Sequence, residues 1–158
     1  MSLLDPSIVR KNEGKTLRIF GGVEFIVKVS SEDSGGAFTL MDNPNPAGTF
    51  LPPHIHHRES ETFYILEGEY EFNIGGKVIN AGPGDTVFAP QGVPHSYKVT
   101  SETDGRVLLY VSPGGFELCA EAMSKLPLEP PDMGAVVQTC MEHGIEFLPP
   151  PGPAHELD

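Results

Sequence analysis

Tryptophan is absent from this 158-residue chain, cysteine occurs twice, and basic residues are scarce. Each shortage excludes something. Cys119 and Cys140 cannot make a disulfide framework or a CxxC metal site. No run approaches the ~18 apolar residues that a membrane-spanning helix needs. The stretch from Met1 to Phe20 is interrupted by Asp5, Arg10, Lys11, Glu13, Lys15 and Arg18, so it lacks the apolar centre of a signal peptide. A cytoplasmic protein is therefore expected. Only 10 Lys and Arg face 22 Asp and Glu, a net charge of −12. Nucleic acids and anionic membranes would be repelled at long range, so no nucleic-acid or membrane partner is expected. No GxSxG elbow, phosphate loop or Rossmann glycine run is present.

What the chain has in excess is turn residues, 18 glycines and 16 prolines. Short apolar segments alternate with them from Thr16 to about Val111. Leu17–Phe20 and Val23–Val29 flank Gly21-Gly22. Thr62–Leu66 and Tyr70–Ile74 are joined by Glu67-Gly68-Glu69, and Lys77–Asn80 follows Gly75-Gly76. Pro90-Gln91-Gly92 turns into His95–Thr100. Strands at ~8–12-residue spacing with Gly/Pro turns predict a closed all-β barrel or sandwich. Asp42-Asn43-Pro44-Asn45-Pro46 reads as irregular. After Pro113 the period changes. Phe116, Cys119, Ala122, Met123 and Leu126 recur at helical spacing. A second short apolar face follows Asp132, a plausible N-cap, and stops near Gly144. The organisation expected is a segment at 1–15, a barrel at 16–112, a helical cover at 113–146 and a proline-rich tail at 147–158. The segment before Gly21 and the second helical face are the apolar surfaces left for an assembly contact.

The densest polar cluster is His54-Ile55-His56-His57-Arg58-Glu59-Ser60-Glu61. Residues two apart on a strand share a face, so His54 and His56 point the same way and His57 the other. Phe50 falls on the face of His54. Phe63 and Ile65 share the face of Glu61, and Tyr97 that of His95. Three imidazoles and a carboxylate converging from separate strands would bind a first-row divalent ion. Taken singly, His54, His56 and Glu61 are more often solvated residues than ligands, and His95 is more often a capping or core histidine.

The framework around them resembles the cupin superfamily. Gly48, five residues, His54, one residue, His56, four residues, Glu61, six residues and Gly68 reproduce its first motif. Gly84, five residues, Pro90, one residue, Gly92, two residues and His95 reproduce its second, with Val99 where the pattern has Asn. The motifs lie 15 residues apart, as in compact single-domain cupins. The resemblance implies an all-β double-stranded β-helix, a jelly-roll barrel with short C-terminal helices appended. It implies that His54, His56, Glu61 and His95 hold one divalent transition metal ion (Fe, Mn, Ni, Co, Cu or Zn), and that the protein is a homodimer. The expected reaction is that of quercetin dioxygenase-like cupins on a small organic substrate, with Glu61 as ligand and base. Phe50, Phe63, Ile65 and Tyr97 would form the substrate pocket. A non-catalytic metal- or ligand-binding protein and a metal-dependent isomerase or decarboxylase stay open, because one fold hosts many chemistries. Oxalate-type chemistry would want a cation beside the metal, and Arg58 is the candidate.

Overall fold

The computed structural model describes residues 4–149, so most of the expected tail lies outside the described residues. Eleven strands form two antiparallel sheets. The strands are β1 (Lys15–Arg18), β2 (Glu24–Val29), β3 (Thr39–Asn45), β4 (Phe50–His56), β5 (Ser60–Glu67), β6 (Tyr70–Ile74), β7 (Lys77–Ala81), β8 (Thr86–Ala89), β9 (His95–Val99), β10 (Gly105–Ser112) and β11 (Ile145–Phe147). One sheet runs β1-β2-β3-β10-β5-β8 and the other β11-β4-β9-β6-β7. The fold is the jelly roll expected of a cupin, although its two ladders stay separate instead of closing into one ring. Two helices, α1 (Phe116–Ser124) and α2 (Met133–Glu142), link β10 to β11.

Alternation decides what each strand buries. On β5, Glu61, Phe63 and Ile65 are buried, while Tyr64 and Leu66 are exposed. Met41, Tyr70, Phe72 and Leu109 complete the tightest part of the core. Each large side chain removed from water contributes about 1.5–3 kcal/mol. The turn at Gly68 has φ 80°, and a Cβ there would lie 2.8 Å from the Gly105 Cα, so only glycine fits. Gly84 and Gly92 also have positive φ, at the strand reversals the sequence marks.

Two segments depart from the sequence reading. Asp42–Asn45 is not irregular but continues β3, paired with β10 as far as Asn45↔Gly105. The β2 ladder ends at Asp42, so Pro44 sits where β3 has one neighbour and a missing N–H is tolerated. Side chains complete the bonding. Asn43 Nδ2 donates to the Glu24 carbonyl at 2.7 Å, and Arg106 forks onto the Asp42 carboxylate. The second departure is β11, a strand of three residues that follows the α2 stop at Gly144 and pairs with His54–His56 of β4. Asp132 does cap α2, accepting from the Ala135 N–H at 3.0 Å.

Exposed apolar side chains lie only partly where the sequence reading puts them. The β1 segment exposes Lys15 and Arg18, whereas the outer face of the six-stranded sheet shows Tyr64, Leu66, Phe88 and Tyr110. The helix α2 exposes Met133 and Met141.

Candidate metal centre

Strands β4, β5 and β9 bring His54, His56, Glu61 and His95 together between the sheets. All four are buried, and one ligand atom from each lies within 4.8 Å of the others. Glu61 Oε2 is 2.7 Å from His95 Nε2 and 3.2 Å from His56 Nε2. Each imidazole is held by its other nitrogen. His54 Nδ1 faces the Pro52 carbonyl at 2.8 Å, and His95 Nδ1 the Val93 carbonyl at 3.3 Å. His56 Nδ1 meets Glu59 Oε1 at 2.7 Å. An acceptor opposite Nδ1 keeps the proton there and turns the Nε2 lone pair toward the centre, the arrangement metal-binding histidines use.

The electrostatics suit a cation. Burial would push the Glu61 carboxyl up, but His56 and the neighbouring His95 and His54 rings hold it down at about 2. Burial, with His95 and His56 nearby, pushes His54 down to about 3, so its ring is neutral near pH 7. Burial opposes the His56 imidazolium, yet Glu61 and Glu59 outweigh it and raise its pKa. With an M²⁺ ion, neutral imidazoles and one carboxylate leave a net +1, which attracts an anionic oxygen. Nitrogen and oxygen donors without thiolate fit any of Mn, Fe, Co, Ni, Cu and Zn.

The centre opens on a cavity of about 40 Å³ lined mostly by apolar side chains, among them Phe25, Leu51, Phe63, Leu109, Phe116 and Phe147.

Known proteins resemble this chain in sequence and fold. The Cupin domain family model matches residues 45–111. A solved structure from Thermotoga maritima, described as a predicted oxalate decarboxylase, is 31% identical, with a TM-score of 0.63 over 68% of this chain and 99% of that one. The chain belongs to the cupin family. Quercetin 2,3-dioxygenase of Bacillus subtilis is 31% identical over 112 residues, 71% of this cupin and 33% of that protein. The oxalate-binding protein of Thermotoga maritima is 39% identical over 59 residues, 37% of this chain and 49% of its own. This cupin thus spans half or less of these two curated relatives.

Within the cupin frame, several expected site residues take other places. Phe50 does not face the centre; it is 60% exposed. Along β4, Leu51 pairs with Tyr97 and His54 with His95, so three steps on one strand match two on the other. The extra residue is a bulge at Pro52-Pro53 that inverts the alternation, and Leu51 lines the cavity instead. Ile65 is fully buried on the inward face but lies in the core, beyond the cavity wall. The Tyr97 ring lines the cavity, yet its hydroxyl reaches across to β3 and donates to Asn45 Oδ1 at 3.0 Å, away from the metal donors. Phe63 is where the alternation puts it. Arg58 is exposed and packs on Gly144, outside the cavity. His57 faces outward to Glu146 Oε2 at 2.8 Å. Val99 is buried, pairs with Tyr70 and removes no metal donor.

Sequence reasoning passed over Glu59 and Asn43. Glu59 lies three residues after His56, a spacing that a turn can fold back, and it is 6% exposed. Asn43 was hidden in the segment read as irregular.

Proposed function

We propose that this cupin is a metal-dependent dioxygenase acting on a small enol or phenol, with His54, His56, Glu61 and His95 holding one divalent transition ion. The observation that carries the reading is the convergence of those four buried donors, three of which, His54, His56 and Glu61, line a small, mostly apolar cavity. The likeness to quercetin 2,3-dioxygenase over 112 residues supports the reaction class. When bound, the ion would lower the pKa of a substrate hydroxyl and leave about two coordination positions for reactants. The chain supplies the rest. Phe63, Phe116 and the Tyr97 ring exclude water and orient a flat apolar substrate. Glu61, the one carboxylate among the donors, would take the substrate proton on Oε2, acting as ligand first and base second. A cavity this small argues against a three-ring flavonol.

The oxalate-binding relative supports a second reading, a ligand-binding protein without turnover. Against a dicarboxylate stands the lining itself, which has no Lys or Arg. A homodimer is proposed through the outer face carrying Tyr64, Leu66, Phe88 and Tyr110, and a reducing compartment through the two unbonded buried thiols. The test is oxygen uptake by protein loaded in turn with Fe²⁺, Mn²⁺, Ni²⁺, Co²⁺, Cu²⁺ and Zn²⁺, over β-diketones, catechols, flavonols and thiols. Uptake that Glu61→Gln suppresses with the metal retained supports the dioxygenase. No uptake by any fully loaded form replaces it with the binding protein.

A further inference from the structure

We propose that Asn43 Oδ1 is the second anchor of the ligand, and that the ligand carries a neutral O–H or N–H donor in addition to its metal-binding oxygen. The inference rests on the proposed reading that the cavity beside the four donors is the ligand site.

Asn43 lies on β3, in the sheet opposite the histidine strands β4 and β9. It is 1% exposed and lines the same cavity as His54, His56 and Glu61. Its amide orientation is fixed, because the Glu24 carbonyl accepts from Nδ2 at 2.7 Å and only the nitrogen can donate there. Oδ1 is then the acceptor left over. It has no hydrogen-bond partner, and it is the one buried side-chain polar atom among the described residues of which this is true.

Its neighbour shows how differently the same side chain is treated two residues on. Asn45 also faces inward, but its Nδ2 donates to the Asn43 carbonyl and to the Tyr70 hydroxyl, and its Oδ1 accepts from Tyr97. Every polar atom of that amide is used. An unpartnered buried acceptor is costly, and native interiors keep few of them without a water, an ion or a ligand to complete them. The same cavity is lined by Phe25, Phe63 and Leu109, which offer no donor. A ligand filling the cavity would therefore meet two polar points, the cationic centre and an uncharged acceptor. A neutral hydroxyl or N–H matches the second. A carboxylate or phosphate there would set its own acceptor oxygens against Oδ1.

The experiment compares phenol with resorcinol and hydroquinone, which add one hydroxyl, and with 3-fluorophenol and 4-fluorophenol, which fill similar space without a donor. Binding is measured calorimetrically on the protein as isolated and after cobalt loading, for wild type, Asn43→Leu and Asn43→Ala. In at least one of the two forms, one of the diols is expected to bind wild type about tenfold tighter than phenol, the worth of one buried hydrogen bond. Both fluorophenols should bind like phenol. The diol advantage should fall below about twofold in each variant while phenol affinity is retained. Equal affinity of diols and phenol in both forms of wild type, survival of the advantage in a folded variant, or no binding by any of the five overturns the proposal. If neither variant folds, the diol–fluorophenol comparison on wild type decides alone. Oxygen uptake is scored separately: an Asn43-dependent diol advantage without turnover removes the dioxygenase and keeps the anchor, and turnover without the advantage does the reverse.

Discussion

Replacing Glu59 should weaken metal binding although Glu59 is not among the four converging donors. Its carboxylate is 6% exposed and its Oε1 sits 2.7 Å from His56 Nδ1. That bond keeps the imidazole proton on Nδ1, directs Nε2 to the centre and makes the ring a better electron donor. Partners of this kind are worth about 10–100-fold in metal affinity, or about 1.4–2.8 kcal/mol. Glu59→Gln keeps an acceptor oxygen of similar reach but loses the charge, so it should fall at the lower end, about tenfold. Glu59→Leu loses both and leaves the His56 N–H buried without a partner, so it should approach 100-fold. The assay is competition for Co²⁺ or Zn²⁺ against a chelator of known affinity, with urea unfolding of the metal-free proteins run beside it. A merely structural Glu59 would lower stability and leave affinity within about twofold for both variants. That outcome, or an order in which Gln is worse than Leu, would refute the argument.

Other consequences can be checked with the same protein. His54→Ala and His95→Ala should abolish stoichiometric metal uptake by elemental analysis, while His57→Ala, whose ring faces Glu146, should retain it. Glu117 accepts from the Ser31 N–H at 2.6 Å, from the Ser31 hydroxyl and from Thr39, and burial, which would raise its pKa, is outweighed by these bonds so that it is lowered. A depressed carboxyl stabilises the fold above its unfolded pKa of about 4.3 and loses that contribution as pH falls through the folded value. Glu117→Gln should thus cost about 1–2 kcal/mol at pH 7 by urea unfolding, a difference that shrinks below pH ~4; an undiminished difference at pH 3 would contradict it. Cys119 and Cys140, at 0% and 1% exposure, should react with a thiol reagent only at the rate of unfolding, and fast labelling of the native protein would contradict their burial. Sedimentation at micromolar concentration should give twice 17.0 kDa, and Tyr64→Lys with Phe88→Lys should return it to a single chain if the outer sheet face is the contact.

The sequence disclosed the site unevenly, and the reasons are physical. Alternation alone puts His54 and His56 on one face and His57 on the other, and it was the resemblance to the two cupin motifs that picked out Glu61 and His95 as their partners. Parity fails where a strand carries an extra residue. Pro52-Pro53 gives no count of the residues opposite, so the bulge that exchanges Phe50 for Leu51 at the cavity wall becomes visible only against β9. The strand β11 was missed because three residues after a helix carry too little pattern, and what makes it a strand is the free side of β4. Tyr97 was placed on the correct face, but alternation says nothing of how far a phenol extends, and its hydroxyl ends on the opposite sheet.

Asn43 shows why a turn signal can conceal a functional residue. Asp, Asn and Pro favour loops because their side chains or rings satisfy local backbone geometry better than a ladder does. In Asp42–Asn45 the same polar groups are used across the sheets instead. Asp42 takes Arg106, Asn43 takes the Glu24 carbonyl, and Asn45 takes Tyr70 and Tyr97. A strand built from such residues needs partners at every position, and a chain that supplies them at three polar side chains has a specific reason to leave one oxygen open. The side chain that carries it lines the cavity of His54, His56 and Glu61. The segment least like a strand in the sequence is therefore the one that brings a polar contact into an otherwise apolar wall, which an aliphatic strand of normal propensity could not do.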